Sequence, residues 1–127
     1  RVAYCAASPS YDYIDDIHDL IVSLVNWAAG GRLDRTLESN APAPVEIIAM
    51  ERPERKRTVL HAINWQPNWP GVVAHGVEVA IKAEGRDPIK AHAVESKCEV
   101  DVRRDMDRIR VVFPPIKAWE TIAIDWK

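Results

Sequence analysis

The chain has 127 residues, 47% hydrophobic and 28% charged, which allows one domain with an ordinary core and excludes wholesale disorder. With 17 Lys and Arg against 19 Asp and Glu, the formal net charge is -2, so the basic stripe that nucleic acid demands is missing. No apolar run approaches the ~20 residues of a spanning helix, and neither nucleic acid nor membrane is an expected partner.

In chain order, Val2 to Ala7 is a short apolar run closed by Ser8-Pro9-Ser10. Such a run suits a strand buried on both faces, as in a parallel sheet. Asp12 is placed to cap a following helix, with Asp15 and Asp16 in its first turn at the positive end of the dipole. Ile14, Ile17, Ile21, Leu24, Val25 and Ala28 recur at three- and four-residue spacing and make one face. Gly30 and Gly31 stop the helix, because glycine accepts the left-handed closing conformation. A strand and a helix alone bury too little surface to offset their ordering entropy. Residues 1–31 therefore read as the terminal strand and amphipathic helix of an α/β domain. A start at Arg1 rather than Met fits a segment of a longer polypeptide.

Residues 32–44 read as a linker, held extended by Asn40-Ala41-Pro42-Ala43-Pro44. From Val45 the period changes, and residues 45–127 read as an antiparallel β-sandwich. The pattern predicts strands near 45–52, 57–65, 76–82, 89–94, 97–102, 107–113 and 119–126. Pro53-Glu54, Gly71, Gly85 with Pro88, Asp105 to Asp107 and Pro114-Pro115 supply the turns. Val59, His61, Ile63 and Trp65 share one face of the second strand, and Ile109, Val111 and Phe113 one face of the sixth. In the last, Ile122 and Ile124 oppose Thr121, Ala123 and Asp125. The fold class is thus mainly β: an immunoglobulin-like sandwich of two antiparallel sheets behind one strand and one helix.

No catalytic constellation is visible. The chain has no Gly-x-Ser-x-Gly elbow and no Cys with an assigned base. His18 lies beside Asp15 and Asp19 on the helix, as a surface pair. His61 alternates with Val59 and Ile63 and is expected to be buried and hydrogen-bonded. His75 and Glu78 fall on opposite faces of a strand, and His92 has no partner in sequence. No spacing suggests the three or four converging ligands of a metal site, and no cofactor is implied. Cys5 and Cys98 read as buried small hydrophobes rather than a disulfide or ligands, and assign no compartment. The cluster Arg52, Arg55, Lys56 and Arg57 reads as a solvated hairpin tip.

The functional lead is aromatic. Asn64-Trp65-Gln66-Pro67-Asn68-Trp69-Pro70-Gly71 places two tryptophans in a polar, proline-stiffened loop. Trp65 and Trp69 could stack on sugar rings while Gln66 and Asn68 bond hydroxyls. The competing reading is that both cover the open end of the sandwich or dock on an adjoining domain. Trp119 and Trp126 bracket the last strand and read as core or interface, and Trp27 as packing at the domain junction.

Three stretches resemble a known family. The helix ending Leu24-Val25-Asn26-Trp27-Ala28-Ala29-Gly30 resembles the closing helix of the amidotransferase-like, trimerisation-type domain of β-galactosidase-related glycoside hydrolases, with Asn26 and Trp27 adjacent here. Pro44-Val45-Glu46-Ile47, with Thr58-Val59-Leu60-His61-Ala62-Ile63-Asn64-Trp65, resembles the start of their C-terminal β-domain. Arg108 to Ile116, with Trp119-Glu120-Thr121-Ile122, is similar to their closing strand pair. The resemblance implies a parent whose catalytic carboxylates lie on a (β/α)8 barrel, so it transfers no catalytic residue to this sequence. It also implies preceding domains of the same polypeptide as partners, with homo-oligomer assembly a further role. The first expectation is accordingly a non-catalytic C-terminal accessory module of a glycoside hydrolase. Its rivals are a carbohydrate-binding module and, least favoured, a small independent enzyme.

Overall fold

The computed structural model describes residues 15–31, 35–65 and 71–127. The expected strand Val2–Ala7, the Asp12 cap and Cys5 lie outside these residues. The chain divides into two compact units, Arg1–Arg35 and Thr36–Lys127.

In the first unit, α1 spans Asp15–Ala28. It ends in a Schellman motif, as the paired glycines predict: the Gly31 N–H donates to Asn26 O (2.9 Å) and the Gly30 N–H to Trp27 O (3.0 Å). Both glycines have positive φ, 90° and 122°. Leu20, Ile21, Val25 and Trp27 are exposed, while Val22 and Leu24 are half-buried.

Among the described residues, the second unit has nine strands: β1 (Leu37–Ser39), β2 (Val45–Arg52), β3 (Arg57–Asn64), β4 (Glu78–Lys82), β5 (Pro88–Ala93), β6 (Cys98–Glu99), β7 (Val102–Asp105), β8 (Arg108–Val112) and β9 (Trp119–Trp126). They form a four-stranded sheet, β1-β4-β8-β7, and a five-stranded sheet, β2-β3-β9-β5-β6. Every pairing is antiparallel. The two inner faces meet in one core, with Leu60, Ile109, Ile116, Ile122 and Ile124 wholly buried and Val79, Val111 and Phe113 beside them. This is the sandwich expected from the alternation in the sixth and last predicted strands.

Three expectations are corrected. Residues 32–44 are not linker throughout: β1 pairs with β4, and Leu37 packs against the core. Asn40 extends this pairing with its side chain, donating to Gly76 O (3.1 Å) and accepting from the Glu78 N–H (2.7 Å). One apolar residue in three gives no readable period. The predicted strand 97–102 is instead two strands in different sheets, β6 and β7. The alternation Cys98-Glu99-Val100-Asp101-Val102 runs unbroken through the crossing, so periodicity cannot mark it. Finally, Cys98 is exposed rather than buried, because β6 is a two-residue edge strand.

One end of the sandwich is closed by a ring of contacts. Trp126 is buried and its Nε1–H donates to Thr58 Oγ1 (2.7 Å). The Thr58 hydroxyl donates to Glu51 Oε1 (2.8 Å), and Arg86 Nη1–H donates to Glu51 Oε2 (3.0 Å). The Arg86 guanidinium then stands 4.4 Å from the Trp126 ring centroid, a cation–π contact that completes the ring. The same end receives Thr36, whose carbonyl accepts from the Lys82 N–H (3.1 Å). It also receives Lys127, whose N–H donates to Asp87 O (3.0 Å).

Candidate binding face

The five-stranded sheet has a second, outward face that is also apolar. Across β9, β3 and β2 the rows run Trp119–Ile63–Glu46, Thr121–His61–Ile48 and Ala123–Val59–Met50. Trp65, one residue past β3, extends the first row diagonally, within aromatic reach of Trp119. Ile48, His61, Ile63, Trp65, Ala118 and Trp119 line a concavity of about 540 Å³. Trp65 is 64% exposed and Trp119 52%.

Backbone geometry fixes this face. The Trp65 N–H donates to Pro44 O (2.8 Å), and its indole Nε1–H donates to Glu46 Oε2 (2.9 Å). Asn64 turns inward and is buried. Its amide group donates to Val72 O (2.9 Å), Lys117 O (3.1 Å) and Ile116 O (3.3 Å). Its backbone N–H donates to Ala118 O (2.7 Å), which sets the approach to Trp119. The two tryptophans are therefore presented from strand ends.

Val59, His61, Ile63 and Trp65 do share one face, as the sequence indicates, but it is the outer one. The core side of β3 carries Thr58, Leu60, Ala62 and Asn64. His61 is correspondingly half-buried rather than buried, and its Nδ1 lies 2.9 Å from Thr121 Oγ1. Both faces of β3 are apolar, and alternation identifies a face without saying which side is inside.

Gln66, Asn68 and Trp69 lie outside the described residues, so of the four expected sugar contacts only Trp65 is placed. Of the two tryptophans expected in core or interface, Trp126 is in the core and Trp119 stands outside it. The signal was parity: Trp126 shares its side of β9 with Ile122 and Ile124, whereas Trp119 shares the side of Thr121 and Ala123.

Among the described residues, Glu46, His61 and Glu120 beside this face are engaged with protein partners, whereas Asn64 Oδ1 is buried without one. Glu46 holds Trp65, and His61 meets Thr121. Glu120 is 2% exposed. Burial pushes its carboxyl upward, but the Ser96 hydroxyl and the N–H groups of Thr121, Glu95 and Ser96 outweigh that and hold it below its ordinary value. A second depression, of about 360 Å³, is bounded by Glu78, Cys98, Asp101, Arg103 and Arg110. Arg110 there is committed to Glu78 (2.7 Å) and Asp105 (2.9 Å). Among the described residues no three His, Cys, Asp or Glu side chains are grouped to hold a metal ion. No described helix is long and apolar enough to cross a membrane.

No family model and no curated protein sequence matches the chain. Among solved structures it is similar to alpha-L-fucosidase isoenzyme 2 from Paenibacillus thiaminolyticus, with a TM-score of 0.72 at 12% sequence identity. The match covers 87% of this chain and 18% of that protein, so the chain spans less than a fifth of its neighbour's length. Thr36 lies more than a quarter of the way along the sequence, so this coverage also takes in residues before the sandwich. The likeness is one of fold, and the fold neighbour is a glycoside hydrolase.

Proposed function

We propose that this chain is a non-catalytic accessory module of a glycoside hydrolase. Its Trp65–Trp119 face packs on other domains of the same polypeptide. The carrying observation is that face: two large indoles held at strand ends over an Ile48–Ile63 floor, with Glu46 and His61 beside it paired internally. Exposed apolar area of this kind is what an interface covers. The sandwich neighbour supports the glycoside-hydrolase context. The finer assignment is the C-terminal β-domain of the β-galactosidase-related type, preceded by the end of an amidotransferase-like domain. It rests on the sequence resemblance. Purified chain assayed against aryl glycosides and aryl esters is expected to give no turnover. Turnover that survives repurification and vanishes with one carboxylate or serine substitution overturns the proposal.

A second reading, carbohydrate binding through Trp65 with Gln66, Asn68 and Trp69, draws on the exposed Trp65 indole beside Trp119. Under the packing reading, neutral oligosaccharides leave tryptophan fluorescence unchanged. Saturable quenching by an oligosaccharide, lost in Trp65→Ala, favours the carbohydrate reading instead.

A further inference from the structure

The four edges of the two sheets are unequal. β1 has three residues, β7 four and β6 two. Short edges of this kind resist unwanted pairing. β2 is the exception, with eight residues, an unbroken register against β3 and no proline or lysine. Its middle, Ile47-Ile48-Ala49-Met50, carries no charge.

The hydrogen-bond phase of this edge can be read from its ends. The Trp65 N–H points at Pro44, toward β2, while the Asn64 N–H points at Ala118, toward β9. Odd-numbered residues of β3 thus face β2, and their partners Glu46, Ile48, Met50 and Arg52 bond back to β3. The N–H and C=O groups of Ile47, Ala49 and Glu51 therefore point off the sheet. The Val45 N–H, of the same parity, is already turned away from β3 to Pro42 O (2.8 Å).

We infer that β2 pairs antiparallel with β2 of a second copy of this chain, about a two-fold axis at Ala49. Only odd-to-odd registers satisfy the hydrogen bonds. Centring on Ala49 sets Ala49 opposite Ala49, and Ile47 opposite Glu51 in both directions. On the outer face the same register sets Glu46 opposite Arg52 twice, and Ile48 opposite Met50 twice. Centring on Ile48 or Met50 gives no opposite-charge pair on that face. The Ala49 register therefore supplies charge complementarity, hydrogen bonding and apolar contact together. Ile48 and Met50 are both exposed in the single chain, and pairing would join them to the apolar face of each copy. This goes beyond the packing role: it shares Glu46 and Ile48 with that face, but its hydrogen bonds come from the open edge of β2.

Sedimentation equilibrium of the purified chain tests the inference. A strand-edge interface is small, and a reversible dimer with a Kd on the order of 10–100 µM is expected. Ala49→Pro removes a donor that points away from β3. It is expected to abolish the dimer while leaving the circular dichroism of the monomer unchanged. Arg52→Glu sets two carboxylates opposite each other and is expected to weaken dimerisation roughly 10-fold or more. The double variant Glu46→Arg/Arg52→Glu restores the opposite-charge pairs and is expected to recover most of that loss. A chain that stays monomeric to about 1 mM overturns the inference. So does a dimer that is indifferent to Ala49→Pro, or a double variant no better than Arg52→Glu. None of these results bears on the glycosidase assays.

Discussion

Replacing Glu120 with Ala should be among the most damaging single changes to the sandwich. The carboxylate is 2% exposed and accepts four hydrogen bonds. The N–H groups of Thr121 (2.8 Å) and Glu95 (3.0 Å) reach one oxygen, and the N–H (3.0 Å) and hydroxyl of Ser96 reach the other. It thereby ties β9 to the turn between β5 and β6. Each bond to a charged acceptor is worth about 1.5–3 kcal/mol, and orphaned buried donors add to the loss. Glu95 and Ser96 are exposed, so water replaces part of what the alanine removes. Counting two backbone bonds at the lower value gives about 3 kcal/mol, or a fall in Tm on the order of 15 °C for a domain of this size. Glu120→Gln should recover little of it, because an amide nitrogen would face donors on one side. The folded carboxyl lies below its ordinary value, so its contribution is complete above the unfolded pKa of about 4.3. That contribution is lost as pH falls through the folded value. Urea unfolding of both proteins by tryptophan fluorescence, at pH 7 and again toward pH 3, gives the comparison. The gap should be widest at pH 7 and narrow on acidification. A gap under about 0.5 kcal/mol at pH 7, or one that widens in acid, would refute the reasoning.

Two further outcomes are expected. Thr58→Val strands the buried Trp126 indole N–H and removes a donor to Glu51, and should cost about 1–3 kcal/mol by calorimetry. Cys98 lies on an exposed two-residue edge strand, so a thiol reagent should modify it fully in native buffer, at a rate unaffected by sub-denaturing urea.

The sandwich was legible because its strands alternate. Ile109, Val111 and Phe113, and then Ile122 and Ile124, have one side to bury, and the structure buries them. Gly30 and Gly31 marked the helix end because only their backbone closes a Schellman turn cheaply. What failed were features that local pattern does not encode. Beyond its ladder with β4, β1 relies on one apolar residue, Leu37, on the Glu38–Arg108 ion pair and on an asparagine side chain 38 positions from its partner. The change of sheet after β6 leaves the alternation intact. Placing the outer apolar face depended on knowing which side of β3 is inside. Its core side carries Thr58, Ala62 and Asn64, while the outer side carries Val59 and Ile63. Hydrophobicity alone ranks those sides wrongly. Thr58 is tolerated inside because Trp126 and Glu51 satisfy its hydroxyl, and three backbone carbonyls accept from the Asn64 amide nitrogen while its Oδ1 stays buried without a partner.

The closed end has a consequence for how the sandwich can be rewired. Thr36 bonds to Lys82, the last residue of β4, and Lys127 to Asp87, just before β5, so Thr36 and Lys127 sit at the same end of the sandwich. A peptide bridging Lys127 to Thr36 would cross one end of the sandwich rather than its length. Cutting instead at Met106, 91% exposed in the turn between β7 and β8, would leave every strand pairing intact. Joining Lys127 to Thr36 and opening the turn at Met106 is expected to give a permutant that still folds, checked by its circular dichroism.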